Sequence, residues 1–275
     1  MMKLLKQAKQ KIHILGSGWL GAPLALYLRD IGYQITSSNR SGVPPQTFSG
    51  ENIAHYITDI SSEHCDFSVI KQCDYLIVCI TGKELLNFKR LALAVSDSPI
   101  KAILYTSSTS VYGESEMPVG ETKNNLIVHH PLVEIENCLK LYSNKPVTVA
   151  RLAGLIGAGR HPGRFFQHKA IPDPDFPVNL IHGDDCITTI AELIRQKHWG
   201  KTVNICASSH PTKSEFYTQA AKQGDYQLPV RGSESGRPRK IICNQTLTKE
   251  LGITLVNDDL MAIDWSQMQP LKRSG

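Results

Sequence analysis

The sequence predicts an α/β protein: a doubly wound parallel sheet with a small C-terminal lobe. Three observations carry this. From Lys11 to Cys206, short β-rich runs alternate with segments of helical period, the pattern of parallel strands joined by crossover helices. Runs such as "YLIVCI" (75–80) are apolar at successive positions, which suits strands covered on both faces. After residue 208 the strand pattern gives way to one helical segment and polar loops.

The elements follow in order. Strands are expected at 11–15 ("KIHIL"), 33–38, 53–57, 75–80, 102–107, 147–152, 178–181 ("VNLI") and 202–206, with helices at 18–31, 83–96, 131–143 and 184–197. Thr212 and Glu215 stand at capping-box spacing, so a further helix starts there and runs over 213–223. "RGSESGRPRK" (231–240) is rich in Gly, Ser and charge and reads as an exposed loop. The sheet domain is placed at 1–153 and 178–207, the smaller lobe at 154–177 and 208–275. The basic start "MMKLLKQAKQK" lacks the apolar middle of a signal peptide and reads as a frayed extension.

At 275 residues, 41% hydrophobic and 20% charged, the chain can bury one main core with an appended lobe. No apolar run approaches the ~20 residues that cross a bilayer, so no membrane partner is expected. The formal charge is +5, but Lys and Arg are spread along the chain. That argues against nucleic acid and for small anionic ligands. Seven cysteines, an odd number with no CxxC pair, read as free thiols in a reducing cytoplasm rather than disulfides or metal ligands.

Gly16, Gly18 and Gly21 have GxGxxG spacing, directly after an expected strand. The helix that follows places Leu20, Leu24, Tyr27, Leu28 and Ile31 on one face. The first glycine permits the tight bend, the second lets pyrophosphate approach the backbone, and the third allows helix–strand packing. With Ser17, Trp19 and Leu20 this forms a Rossmann-type dinucleotide turn, its helix N-terminus facing the anion. An acidic residue ending the second strand would grip the adenine ribose 2′-hydroxyl. "TSSNRSG" (36–42) has none and places Asn39 and Arg40 there. A guanidinium makes a forked contact with a 2′-phosphate, so NADP is expected over NAD.

By "YTSSTSVYG" (105–113), "RLAGLIGAGRHPGRFF" (151–166), "VNLIHGDD" (178–185) and "NICASSHP" (204–211), the chain resembles the extended, epimerase/dehydratase-like short-chain dehydrogenases/reductases. Within these it is similar to a small atypical subgroup, the YeeZ-like proteins. The resemblance implies a Rossmann fold with the coenzyme at the carboxyl ends of the strands. It implies Asp59 and Ile60 at the adenine, Ile80, Thr81 and Gly82 along the ribose wall, and Ser107 and Ser108 facing the nicotinamide. The family's YxxxK proton-transfer pair is absent, because no Tyr is followed four residues later by Lys. Aligning Glu121 and Glu136 with the acids that flank the pair puts Val128 and Leu132 in its place.

Substitutes for the pair are Ser108 and Thr109, which can hydrogen-bond a substrate oxygen, and His129 and His130, whose imidazoles titrate near neutral pH. Arg160, His161 and Arg164 cluster in a glycine-loosened loop and suit an anionic substrate. His161 and His168 lack zinc-helix spacing, so no metal is expected. His182, Asp184 and Asp185 match the family's "hVdD" element, where an Asp has a structural role. Phe216 and Tyr217 either close the pocket or pack in the core. Family dimers pair the helices after strands four and five. Leu85, Leu86, Leu91 and Leu93 suit such a homodimer contact, or packing on the sheet. Two functions stay open: an NADP-dependent oxidoreductase or epimerase-like enzyme, and a non-catalytic NADP(H)-binding sensor or scaffold.

Overall fold

The computed structural model describes residues 9–122, 125–236 and 239–267. Most of the basic start, together with Arg237 and Pro238 of the 231–240 loop, lies outside the described residues. In chain order the elements are β1 (Lys11–Leu15), α1 (Gly21–Asp30), β2 (Gln34–Asn39), β3 (Ala54–Ile57), β4 (Tyr75–Val78), α2 (Leu85–Ser96) and β5 (Ala102–Ser108). They continue with α3 (Pro131–Tyr142), β6 (Val147–Leu152), β7 (Gly154–Ile156), β8 (Ala170–Ile171), β9 (Leu180–His182) and α4 (Gly183–Arg195). The last are β10 (Thr202–Ile205), α5 (Lys213–Gln223) and β11 (Val230–Arg231).

Seven strands form the main sheet, in the order β10-β6-β5-β4-β1-β2-β3. The pairs β1–β2, β1–β4, β2–β3 and β4–β5 are parallel. The strand order reverses between β1 and β4, which opens a crevice at their carboxyl ends. This is the doubly wound arrangement that the alternating pattern implies. Among the described residues no helix is long and apolar enough to cross a membrane.

The chain divides into two compact units. One takes the chain up to Ser107, with Pro131–Val149 and Leu193–Lys201; the other takes Ser108–His130, Ala150–Glu192 and the chain from Thr202. In the first unit, α2 and α3 lie side by side. Phe88, Leu91, Val95, Ile135 and Leu139 from these helices close on Leu76, Val78, Ile103 and Tyr105 of the sheet. Each such side chain, fully buried, contributes about 1.5–3 kcal/mol. Of the four leucines expected on a dimer face, Leu91 is fully buried here, whereas Leu85, Leu86 and Leu93 are exposed.

The second unit has its own core of Ile156, Leu180, Phe216, Ala220, Leu260 and Trp265. Here the strand expected at 178–181 departs from expectation. It forms as Leu180–His182 and pairs with β7 in a separate two-stranded sheet instead of joining the main one. Gly154 permits the pairing, since a Cβ there would come within 2.7 Å of the Leu180 side chain. The α5 helix has the expected capping box: Thr212 accepts from the Glu215 amide, and Glu215 accepts from the Thr212 amide.

Candidate functional site

The glycine turn leaves β1 at its carboxyl end. Gly16 has φ +104°, open to glycine at little cost, and a Cβ on it would lie 2.6 Å from the Cys79 carbonyl oxygen. A Cβ on Gly21 would run into the Gly16 carbonyl, whereas among the described residues nothing lies within 4 Å of the Cβ position of Gly18. Packing therefore accounts for two of the glycines. The third keeps space open over the turn. The amides of Gly16 and Ser17 donate to the Ser38 carbonyl at 2.8 and 3.3 Å. Ser38 is anchored in turn by His13, whose Nε2 is 2.9 Å from its hydroxyl while Nδ1 is 2.8 Å from Thr36 Oγ1.

α1 has no side-chain N-cap and no acidic residue in its first turn, so its positive end is left for an external anion. The Ser17 hydroxyl is buried with no partner among the described residues, at a position where a phosphate oxygen would accept its proton. These features fit a dinucleotide diphosphate. Trp19 is half-buried and Leu20 buried at the start of the helix.

At the end of β2 the two residues expected at the ribose separate. Asn39 is engaged in its own loop: its Nδ2 donates to the Val43 carbonyl at 2.7 Å, and its Oδ1 accepts from the Gly42 amide at 2.7 Å. Arg40 is exposed and interacts electrostatically with Asp59. Asp59 accepts from the hydroxyl and amide of Ser61 at 2.6 and 3.0 Å. Those bonds, the hydroxyl's foremost, hold its carboxyl below the usual range.

Ile60 is buried, and its carbonyl accepts from Arg90 Nη2 at 2.8 Å. Ile80 is half-buried, Thr81 and Gly82 are exposed, and Ser107 is buried. All of these lie in the first unit. Two more residues of this unit carry buried polar groups. Thr58 carries a buried hydroxyl with no partner among the described residues, beside the Asp59 that drew notice. Glu136, 1% exposed, accepts the Ser107 hydroxyl proton at 2.6 Å. Its signal in the sequence was a carboxylate on the apolar face formed by Leu132, Ile135 and Leu139.

The substrate candidates lie in the second unit. Ser108 is half-buried and accepts from the Ser110 amide at 3.1 Å, capping a short turn that begins with the buried Thr109. His129 is exposed with φ 59°, and His130 is half-buried. Arg160 and Arg164 are exposed. His161 does not join them. It is 3% exposed, with Nδ1 accepting from the Gly163 amide and Nε2 bonded to the Trp265 carbonyl, both at 3.1 Å. Its ring packs against Tyr226 and Trp265, and burial lowers its pKa. It is a core histidine, placed there because Gly163 lets the loop press onto α5, where a Cβ would stand 2.8 Å from the Ala220 carbonyl oxygen.

The Asp185 carboxylate accepts from the Val256 and Asn257 amides at 2.8 Å each, a structural role. Phe216 is core, while the half-buried Tyr217 stacks with Phe165 and Phe166. Three of the quoted motifs meet in a buried network that their spacing along the chain does not show: the Tyr112 hydroxyl donates to Asn204 Oδ1 at 2.7 Å and accepts from Arg151 Nη1 at 2.8 Å.

No family model matches the chain. Among curated proteins, it is 35% identical over 261 residues to the protein YeeZ of Escherichia coli K12, covering 88% of this chain and 94% of that protein. Among solved structures, one of a putative NAD-dependent epimerase/dehydratase from Methylobacillus flagellatus matches with a TM-score of 0.79 at 23% identity, over 95% of this chain and 98% of that one. The UDP-N-acetylglucosamine 4-epimerase of Bacillus cereus matches with a TM-score of 0.76 at 14% identity, over 97% and 98%. The UDP-glucuronic acid 4-epimerase of the same organism, in complex with NAD, gives 0.74 at 16% identity, over 93% and 98%. At such identities these structures share the fold, whereas the YeeZ similarity is one of sequence over nearly the whole length: the chain belongs to the YeeZ family and carries the fold of the epimerase/dehydratase-like short-chain dehydrogenases/reductases.

Proposed function

We propose that this protein binds NADP(H) and is an oxidoreductase or epimerase-like enzyme acting on a small anionic substrate. The observation that carries the coenzyme reading is the turn at Gly16–Gly21, with its open space over Gly18, unpartnered Ser17 hydroxyl and uncapped α1. Ser17 and the turn amides hold the diphosphate. Ile60, Ile80, Thr81 and Gly82 line the adenosine and ribose, and Ser107 serves the nicotinamide side. Arg40 holds the 2′-phosphate, while Asn39 shapes the loop that presents it. That NAD accompanies a structure of the same fold supports a nicotinamide coenzyme, with NAD the alternative. When bound, the nicotinamide supplies hydride transfer.

Substrate handling falls to the second unit. Arg160 and Arg164 attract the anionic group, and Ser108 or Thr109 hydrogen-bonds the reacting oxygen. In place of the Tyr–Lys pair, His129 or His130 moves the proton. The free thiols support a reducing cytoplasm, and exposed Leu86 and Leu93 support a homodimer through α2. The missing pair favours a second reading, in which the protein is a non-catalytic NADP(H) sensor or scaffold.

Calorimetric titration with NADPH and NADH tests the coenzyme reading. NADPH is expected to bind more tightly, and Arg40→Ala to weaken NADPH by at least tenfold, about 1.4 kcal/mol, with NADH little changed. Equal losses refute the 2′-phosphate assignment. NADPH oxidation against aldehydes, keto acids and nucleotide sugars separates enzyme from sensor, since tight binding without turnover favours the sensor.

A further inference from the structure

Ser107 and Glu136 make a buried pair whose chemistry goes beyond lining a coenzyme. Ser107 is the penultimate residue of β5, and its hydroxyl donates to Glu136 Oε1 at 2.6 Å. The serine is 5% exposed and the glutamate 1%. The one hydroxyl proton of Ser107 is committed to Glu136, leaving its oxygen with lone pairs alone. A serine hydroxyl ordinarily rotates to donate or accept as its surroundings ask. This one is held as an acceptor by a short bond to a carboxyl oxygen.

The position of Glu136 adds weight. It follows Leu132 by four residues on α3, one turn along the same face. Leu132 is where the family resemblance places the lysine that binds the nicotinamide ribose, and here it packs on the apolar core. Tyr105, two residues before Ser107 and so on the same face of β5, has a buried hydroxyl with no partner among the described residues.

The geometry points to Glu136 as a positioning residue that locks Ser107 into an acceptor for the nicotinamide half of the coenzyme, whose ribose hydroxyls and carboxamide N–H groups are donors. It takes over, from the neighbouring turn, the anchoring that a lysine at Leu132 would provide. This rests on the coenzyme reading above.

The test compares a whole coenzyme with a fragment lacking the nicotinamide. The full chain and its variants are titrated with NADPH and 2′-phospho-ADP-ribose, or with NADH and ADP-ribose if NADH binds the wild type more tightly. Ser107→Ala and Glu136→Met are expected to weaken the coenzyme about tenfold, the size of one lost hydrogen bond, and to leave the fragment within about twofold. The double variant should be no weaker than Ser107→Ala, because the lock acts through the serine. Glu136→Gln, whose amide oxygen can still accept the serine proton, should bind like wild type. Should Glu136→Met not fold, Glu136→Asp keeps the charge but falls one methylene short, and is expected to behave like Ser107→Ala. Equal losses for coenzyme and fragment mean a purely structural tie, and unchanged coenzyme binding in Ser107→Ala means no contact; either overturns the lock while sparing the coenzyme reading. Failure of the wild type to bind either coenzyme overturns that reading, and the lock with it.

Discussion

His13 is fully buried on β1, with both ring nitrogens bonded to hydroxyls of β2. Burial, and secondarily the charge of His55, lowers its pKa from 6.5 to about 4. The neutral ring is the stable form in the fold, so its contribution is fully present above pH 6.5 and declines as pH falls from there towards 4. Between pH 7 and 5 the loss is about 2 kcal/mol. Urea unfolding should show wild type losing about that much more stability over the interval than His13→Asn; parallel pH profiles contradict the assignment. His13 was the unremarked third letter of a strand, because a sequence does not show what lies across a sheet. Arg40 drew notice through the missing acid after β2, whereas the loop-holding role of Asn39 depended on where Val43 and Gly42 come to lie.

The helices were the most legible elements. Local rules place their ends: Pro131 opens α3, and Thr212 with Glu215 opens α5 as the spacing requires. Thr212→Ala removes the acceptor for the Glu215 amide and should cost about 1 kcal/mol. It should lower the urea midpoint without changing the slope of the transition. Strands forecast their existence better than their partners. "VNLI" reads like any other apolar run, and its pairing with β7 rather than the main sheet follows from the close approach allowed at Gly154. The loop at 156–164 divided likewise. Its arginines face solvent as their charge suggests, while His161 turned inward to the rings of Tyr226 and Trp265.

For the whole molecule, α2 divides its leucines in a way that its sequence does not show. Leu91 is buried in the core, while Leu86 and Leu93, seven residues apart on one helical face, are 67% and 51% exposed. Leu141 of α3 is likewise exposed, at 72%; under the proposed homodimer such leucines would be covered by a second copy. Leu93→Glu should leave the melting behaviour of the monomer intact yet shift the protein to half its mass in light scattering. An unchanged mass, or a wild type that is already monomeric, refutes the dimer.

By itself the sequence determined the α/β class, the strand-turn-helix at Gly16–Gly21, the cap of α5 and the absence of YxxxK spacing. Each is written in residues close along the chain, where period, spacing and backbone sterics act. Only the tertiary structure decided that Glu136 meets Ser107, that Ser17 and Thr58 keep hydroxyls without a partner among the described residues, and that His161 belongs to a core. Those outcomes depend on distance through space and on exclusion of water, and residues 29 positions apart, as Ser107 and Glu136 are, acquire both only when the chain has packed.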